Sequence, residues 1–182
     1  MTTQSLRRTI ALIGLSGVGK STLAQQLAQQ LGWKYVDTDA MISRFAGKPV
    51  AEYFATKGEV AFRKLESEVL GAMLVAATYH PCVIATGGGI VVQAENRDLL
   101  RQFAWNVWLD APDQVLIQRL QSGTTEVRPL LQGDDPLGKL AAMRTVRAPL
   151  YRELAHLTLD TSHLSNTAII SAITREFGLR VR

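Results

Sequence analysis

The residues best suited to chemistry come early, at Gly14-Leu15-Ser16-Gly17-Val18-Gly19-Lys20-Ser21, which fits the pattern G-x-x-x-x-G-K-S/T. Glycines at this spacing let the backbone curl until several N–H groups point into one cavity. A helix starting there adds the partial positive charge of its N-terminus. Lys20 can reach the terminal phosphates of a nucleotide, and the Ser21 hydroxyl can ligate Mg2+. A glycine-rich turn bearing a surface lysine is the plain alternative. The apolar run before the pattern and the amphipathic run after it favour nucleotide binding.

A second group of residues suits an acceptor. Asp37-Thr38-Asp39 sets two carboxylates at i and i+2 on an extended end, so both project to similar sides. One can act on Mg2+ through water while the other faces an acceptor hydroxyl, supplying orientation and a proton sink. Asp39 is also placed to cap a helix beginning Ala40-Met41-Ile42. Gly87-Gly88-Gly89 carries a cost in chain entropy that either a close backbone approach to a ligand or a tight turn would offset. Arg63, Lys64 and Glu66 lie in a long helical stretch and read as a solvated charged face. Arg128-Pro129-Leu130-Leu131 and Arg147-Ala148-Pro149-Leu150-Tyr151 offer planar guanidinium groups suited to phosphate or carboxylate, with Pro149 predicted to break a helix.

The elements that must position these groups alternate. Short apolar runs predict strands at Thr9–Ile13, Lys34–Val36, Cys82–Ala85, Asn106–Leu109 and Leu157–Leu159. Helical periodicity covers Ser21–Leu31 and roughly 40–46, 50–56, 59–78, 94–103, 113–121, 137–147 and 166–177. This order implies an α/β fold with a mostly parallel sheet covered on both faces. In such sheets ligands bind beyond the carboxyl ends of the strands, where Gly14, Asp37–Asp39 and Gly87–Gly89 all fall. The long stretch from Ser122 to Pro136, with a glycine near each end and Arg128 in its middle, reads as a hinged, mobile lid.

Composition narrows the class. At 47% hydrophobic and 20% charged the chain has material for one core, and a net charge of +4 suits an anionic ligand, a nucleic acid or merely a soluble surface. The only cysteine, Cys82, allows no internal disulfide and reads as a buried packing residue. No run approaches the ~18 apolar residues of a membrane helix. No membrane partner and a cytoplasmic location are therefore expected. The guanine-reading signature Asn-Lys-x-Asp does not occur, and motor or transporter ATPases need more chain, which leaves the small-molecule kinases.

The phosphate loop Gly14–Ser21, Asp37-Thr38-Asp39, Phe62-Arg63-x-x-Glu66, Gly87–Gly89, Arg128-Pro-Leu-Leu and Arg147-Ala-Pro-Leu-Tyr151 together resemble the shikimate kinase family, in order and spacing, from about Ile10 to Phe177. The resemblance implies a P-loop kinase fold like that of nucleoside monophosphate kinases, with a five-stranded parallel sheet ordered 2-3-1-4-5. A single kinase domain over 1–182 is expected, with a shikimate-binding region at about 40–70 and the lid at about 122–136.

It also implies transfer of the γ-phosphate of ATP to the 3-hydroxyl of shikimate, on the route to aromatic amino acids. By the same carry-over Ser21 and Asp37 would serve Mg2+. Gly17, Val18, Gly19, Lys20, Ser21, Thr22, Arg128 and His163 would contact the nucleotide. His163 stands where many members place an arginine near adenine, and Arg119 is a lesser nucleotide candidate. Asp39, Arg63, Gly88, Gly89 and Arg147 would hold shikimate, with Lys20, Asp39 and Arg128 acting in catalysis. ATP and shikimate are the expected partners of a monomer, with no nucleic acid. A gluconate kinase and a catalytically silent ligand-sensing module are the alternatives.

Overall fold

A computed structural model describes residues 8–122 and 135–178. The strands are β1 (Thr9–Ile13), β2 (Lys34–Asp37), β3 (Cys82–Ala85), β4 (Trp105–Asp110) and β5 (Leu157–Asp160). The helices are α1 (Lys20–Leu31), α2 (Thr38–Ala46), α3 (Val50–Ala77), α4 (Ala94–Phe103), α5 (Asp113–Ser122), α6 (Pro136–Leu154) and α7 (Asn166–Glu176). All strand pairs are parallel, and the sheet runs β2-β3-β1-β4-β5. This is the expected order.

The burial explains the order. Every residue of β1 and β3 is buried, as strands covered on both faces must be, whereas edge strands β2 and β5 are partly exposed. The register pairs Leu12 with Ala85, Asp37 with Ala85 and Asp110 with Asp160. The strands therefore end together, and the loops after β1, β2 and β3 share one rim. Cys82 is buried as expected, and burial pushes its thiol up.

Two local readings are corrected and one is borne out. The cap of α2 is Asp37 rather than Asp39: its side chain accepts from the N–H groups of Asp39 at 2.9 Å and Ala40 at 3.2 Å. The two expected helices over 50–78 form as α3, with a break at Gly58 where φ is 79°. Finally, Pro149 does not end its helix; α6 continues to Leu154. Proline removes one hydrogen bond, but Leu140, Arg147, Tyr151 and Leu154 are buried on both sides of it and hold the helix together. The expected lid is described only at its ends, and Arg128 lies outside the described residues.

Candidate active site

The loop between β1 and α1 is shaped by glycine conformation. Gly14, Gly17 and Gly19 have φ of 141°, 85° and 93°, a region that side chains disfavour. Space is short as well: a Cβ on Gly14 would overlap the Leu109 carbonyl, and one on Gly17 would lie 2.9 Å from the Leu116 oxygen. No described side chain caps α1, so its first-turn N–H groups face the loop. Val18 buries its side chain in the core, leaving only its backbone for a ligand, while Thr22 is exposed on the first turn. Lys20 is buried inside the loop, and its Nζ donates to the carbonyls of Gly14 at 2.9 Å and Leu15 at 2.8 Å.

At the mouth of the loop the Ser21 hydroxyl donates to Asp37 Oδ2 at 2.7 Å. One Asp37 oxygen thus caps α2 while the other meets Ser21. A hydroxyl beside a carboxylate is a hard-oxygen pair of the kind that, completed by phosphate oxygens and water, suits Mg2+. Loop and rim enclose a cleft of about 730 Å³ lined by Lys20, Ser21, Asp37, Asp39, Gly88 and Arg119, among others. The phosphate loop, Asp37, Asp39 and Gly88 therefore share one cavity, whereas Arg63 lines a second cleft with Glu59 and Gln93.

The glycine triplet has a reason the sequence reading left open. None of Gly87, Gly88 and Gly89 is among the glycines with positive φ, so conformation is not what requires them. A Cβ on Gly87 would lie 2.7 Å from Asp39 Oδ1, and one on Gly89 would lie 2.5 Å from Arg63 Nη1. Gly88 sits against the phosphate loop, its Cβ position 3.4 Å from the Gly14 oxygen and Ser16 nitrogen. The triplet is the surface over which an aspartate, an arginine and the phosphate loop approach one another.

Arg63 is not on a solvated face. It is 6% exposed, its Nη1 donates to Glu66 at 2.8 Å, its Nη2 to Glu59 at 3.2 Å, and its Nε is an orphaned buried donor among the described residues. An orphaned guanidinium donor suits a ligand carboxylate. Arg147 on α6 is 8% exposed. Glu66, 1% exposed, was also read as surface. Burial pushes its carboxyl up, against the pull of Arg63, and nearby Asp39 adds to the rise. A signal was there: Phe62, Glu66, Val69 and Met73 share one helical stripe, and all four are buried.

Three further residues had no assigned role. The Thr38 hydroxyl, fully buried, accepts from Gly87 N–H at 2.7 Å and ties the start of α2 to the triplet. Arg144 donates to Asp113 at 2.6 Å, Asp110 at 2.7 Å and the Ala111 carbonyl at 2.5 Å, anchoring α6 to the corner between β4 and α5. Tyr151 donates to the Gly88 carbonyl. At the far end of the cleft Arg119 donates to Thr161 Oγ1 at 2.9 Å and Thr161 O at 2.8 Å, while His163 is exposed on the turn after β5.

A parallel sheet in this order, a phosphate loop after β1 and an acceptor pocket on the same rim define a small-molecule kinase of the P-loop class. The family model described as shikimate kinase matches residues 16–177. A shikimate kinase from Symbiobacterium thermophilum is 42% identical over 94% of this chain and 97% of its own. One from Dechloromonas aromatica is 39% identical over 98% of this chain and 94% of its own. The solved shikimate kinase from Acinetobacter baumannii, in complex with shikimate, has a TM-score of 0.85 at 36% identity, covering 92% of this chain and 90% of that one. The chain belongs to the shikimate kinase family. It is an ATP-dependent kinase, a transferase acting on shikimate, and the matches favour this over a gluconate kinase.

Proposed function

We propose that the chain transfers the γ-phosphate of ATP to the 3-hydroxyl of shikimate through the residues gathered on this rim. The observation that carries the assignment is the shared cleft: Lys20 and Ser21 line it from the nucleotide side, Asp39 and Gly88 from the acceptor side. The phosphate loop holds the nucleotide through its backbone N–H groups at Gly17, Val18 and Gly19 and through Ser21 and Thr22. Lys20 turns from the loop carbonyls to the transferring phosphoryl group, joined by Arg128. Asp39 orients the acceptor hydroxyl and accepts its proton. Arg63 and Arg147 take the shikimate carboxylate with Gly88 and Gly89. Arg119 and His163 stand at the nucleotide end.

Mg2+ would be held by Ser21 and, through water, by Asp37, and would neutralise charge on the phosphate oxygens. With the groups placed in this way, positioning and charge stabilisation supply most of the catalysis. The proposed state is a monomer. A cytoplasmic location and no nucleic-acid partner complete the proposal; no helix among the described residues is long and apolar enough to cross a membrane.

The test is ADP release with Mg-ATP and, in turn, shikimate, gluconate, nucleoside monophosphates and water as acceptors. Shikimate should stimulate release strongly and the others should not. Release without dependence on shikimate would overturn the proposal.

A further inference from the structure

Tyr151 ends the Arg147–Tyr151 stretch of α6. It is 1% exposed, and its ring lies beside that of Trp108 with centroids 5.9 Å apart. Its hydroxyl donates to the Gly88 carbonyl. The neighbouring carbonyls are served differently: Gly87 O accepts from Ile90 N at 3.1 Å and Gly89 O from Val92 N at 3.0 Å, both within the turn itself. Gly88 O thus faces outward to α6 while its neighbours are satisfied locally.

The peptide between Gly88 and Gly89 is planar and trans, so its carbonyl and its N–H point in opposite directions. A donor that fixes the Gly88 carbonyl also fixes the direction of the Gly89 N–H. Glycines hold such a direction poorly on their own, since they have the widest conformational freedom. Arg147 lies one helical turn earlier on the same face of α6 and is likewise buried.

We infer that Tyr151 is a positioning residue of the acceptor site: its hydroxyl orients the Gly88–Gly89 peptide and ties it to α6 beside Arg147, so that two carboxylate-binding groups from different elements keep one geometry. The ring packed on Trp108 is the rigid mount, and the hydroxyl is the link. The inference deepens the proposed function and rests on it, because the aligned groups matter only if shikimate binds there.

The experiment is steady-state kinetics of Tyr151→Phe, which keeps the ring and removes the link. The KM for shikimate should rise about tenfold, while the KM for ATP stays within about twofold and kcat within about threefold. Tyr151→Met, which fills similar volume without a hydroxyl, should show the same split. In Arg147→Ala the added Tyr151→Phe change should cost less than it does alone, because one of the two carboxylate-binding groups is gone. An unchanged shikimate KM, or shikimate and ATP KM rising together, overturns the inference, even where thermal stability falls. If the wild type itself shows no shikimate-dependent ADP release, the proposed function fails instead, so the two failures are distinguishable.

Discussion

The two halves of the cleft are built by opposite means. The nucleotide half is one contiguous loop whose geometry resides in backbone torsions, with glycines at φ of 141°, 85° and 93° and a helix start with no described side-chain cap. The proposed acceptor half draws on α2, α3, the turn after β3 and α6, and its geometry resides in the buried side chains of Arg63, Glu66, Arg147 and Tyr151, with Asp39 partly buried at its edge. A backbone site is local and survives wherever strand, loop and helix follow one another. A side-chain site drawn from distant segments depends on every packing contact that brings those segments together. On the proposed function, kinase chemistry is carried by the loop and acceptor selectivity by the packing.

That contrast breaks most sharply at Lys20. Lys20→Ala should lower kcat by about a hundred- to a thousandfold, with the fold retained by circular dichroism. An unchanged kcat would mean that the loop does not carry the phosphoryl chemistry. A smaller effect is expected on the acceptor side from Gly89→Ala. Its Cβ would fall 2.5 Å from Arg63 Nη1 and push the guanidinium aside. The KM for shikimate should rise about tenfold or more, by loss of a charge-assisted contact, with the KM for ATP nearly unchanged. Equal losses for both substrates would show that the halves are not separable.

The smallest effect concerns pH and stability. Burial raises the Glu66 carboxyl in the folded chain. An acid with a raised folded value binds its proton more readily folded than unfolded. Its contribution is therefore greatest at low pH and declines as pH rises from the ordinary carboxylate value through the raised one. Glu66→Gln should remove that decline. The difference in thermal midpoint between wild type and variant should shift toward the variant across this window, as read by melting curves at stepped pH. A constant difference would mean that Arg63 cancels the burial effect.

The expectations that failed share one cause. Arg63 and Glu66 read as surface charge because charged residues on a helix usually face water. Burying both becomes tolerable only when they pair with each other, and that pairing is visible only once the helix is placed against the sheet. Pro149 read as a helix end because proline deletes a hydrogen bond, a local penalty. The buried residues before and after it, Arg147, Tyr151 and Leu154, outweigh that penalty through tertiary contacts. The triplet did not fail: it forms the turn that was one of its two readings, and the closeness of Asp39 and Arg63, both distant in sequence, is a further constraint on it.

What could be read from the chain alone was whatever short range decides. This includes the strand–loop–helix of the phosphate site, the alternation of elements, the kink expected between two helices near Gly58, and the presence of Asp37 and Asp39 at a strand end. Motif order added the strand order by resemblance. Tertiary structure alone decided which charges are buried and which hydroxyl holds the Gly88 carbonyl. The physical reason is that torsional preference and periodicity act within a few residues, whereas burial and ion pairing depend on segments that meet only after the sheet has closed.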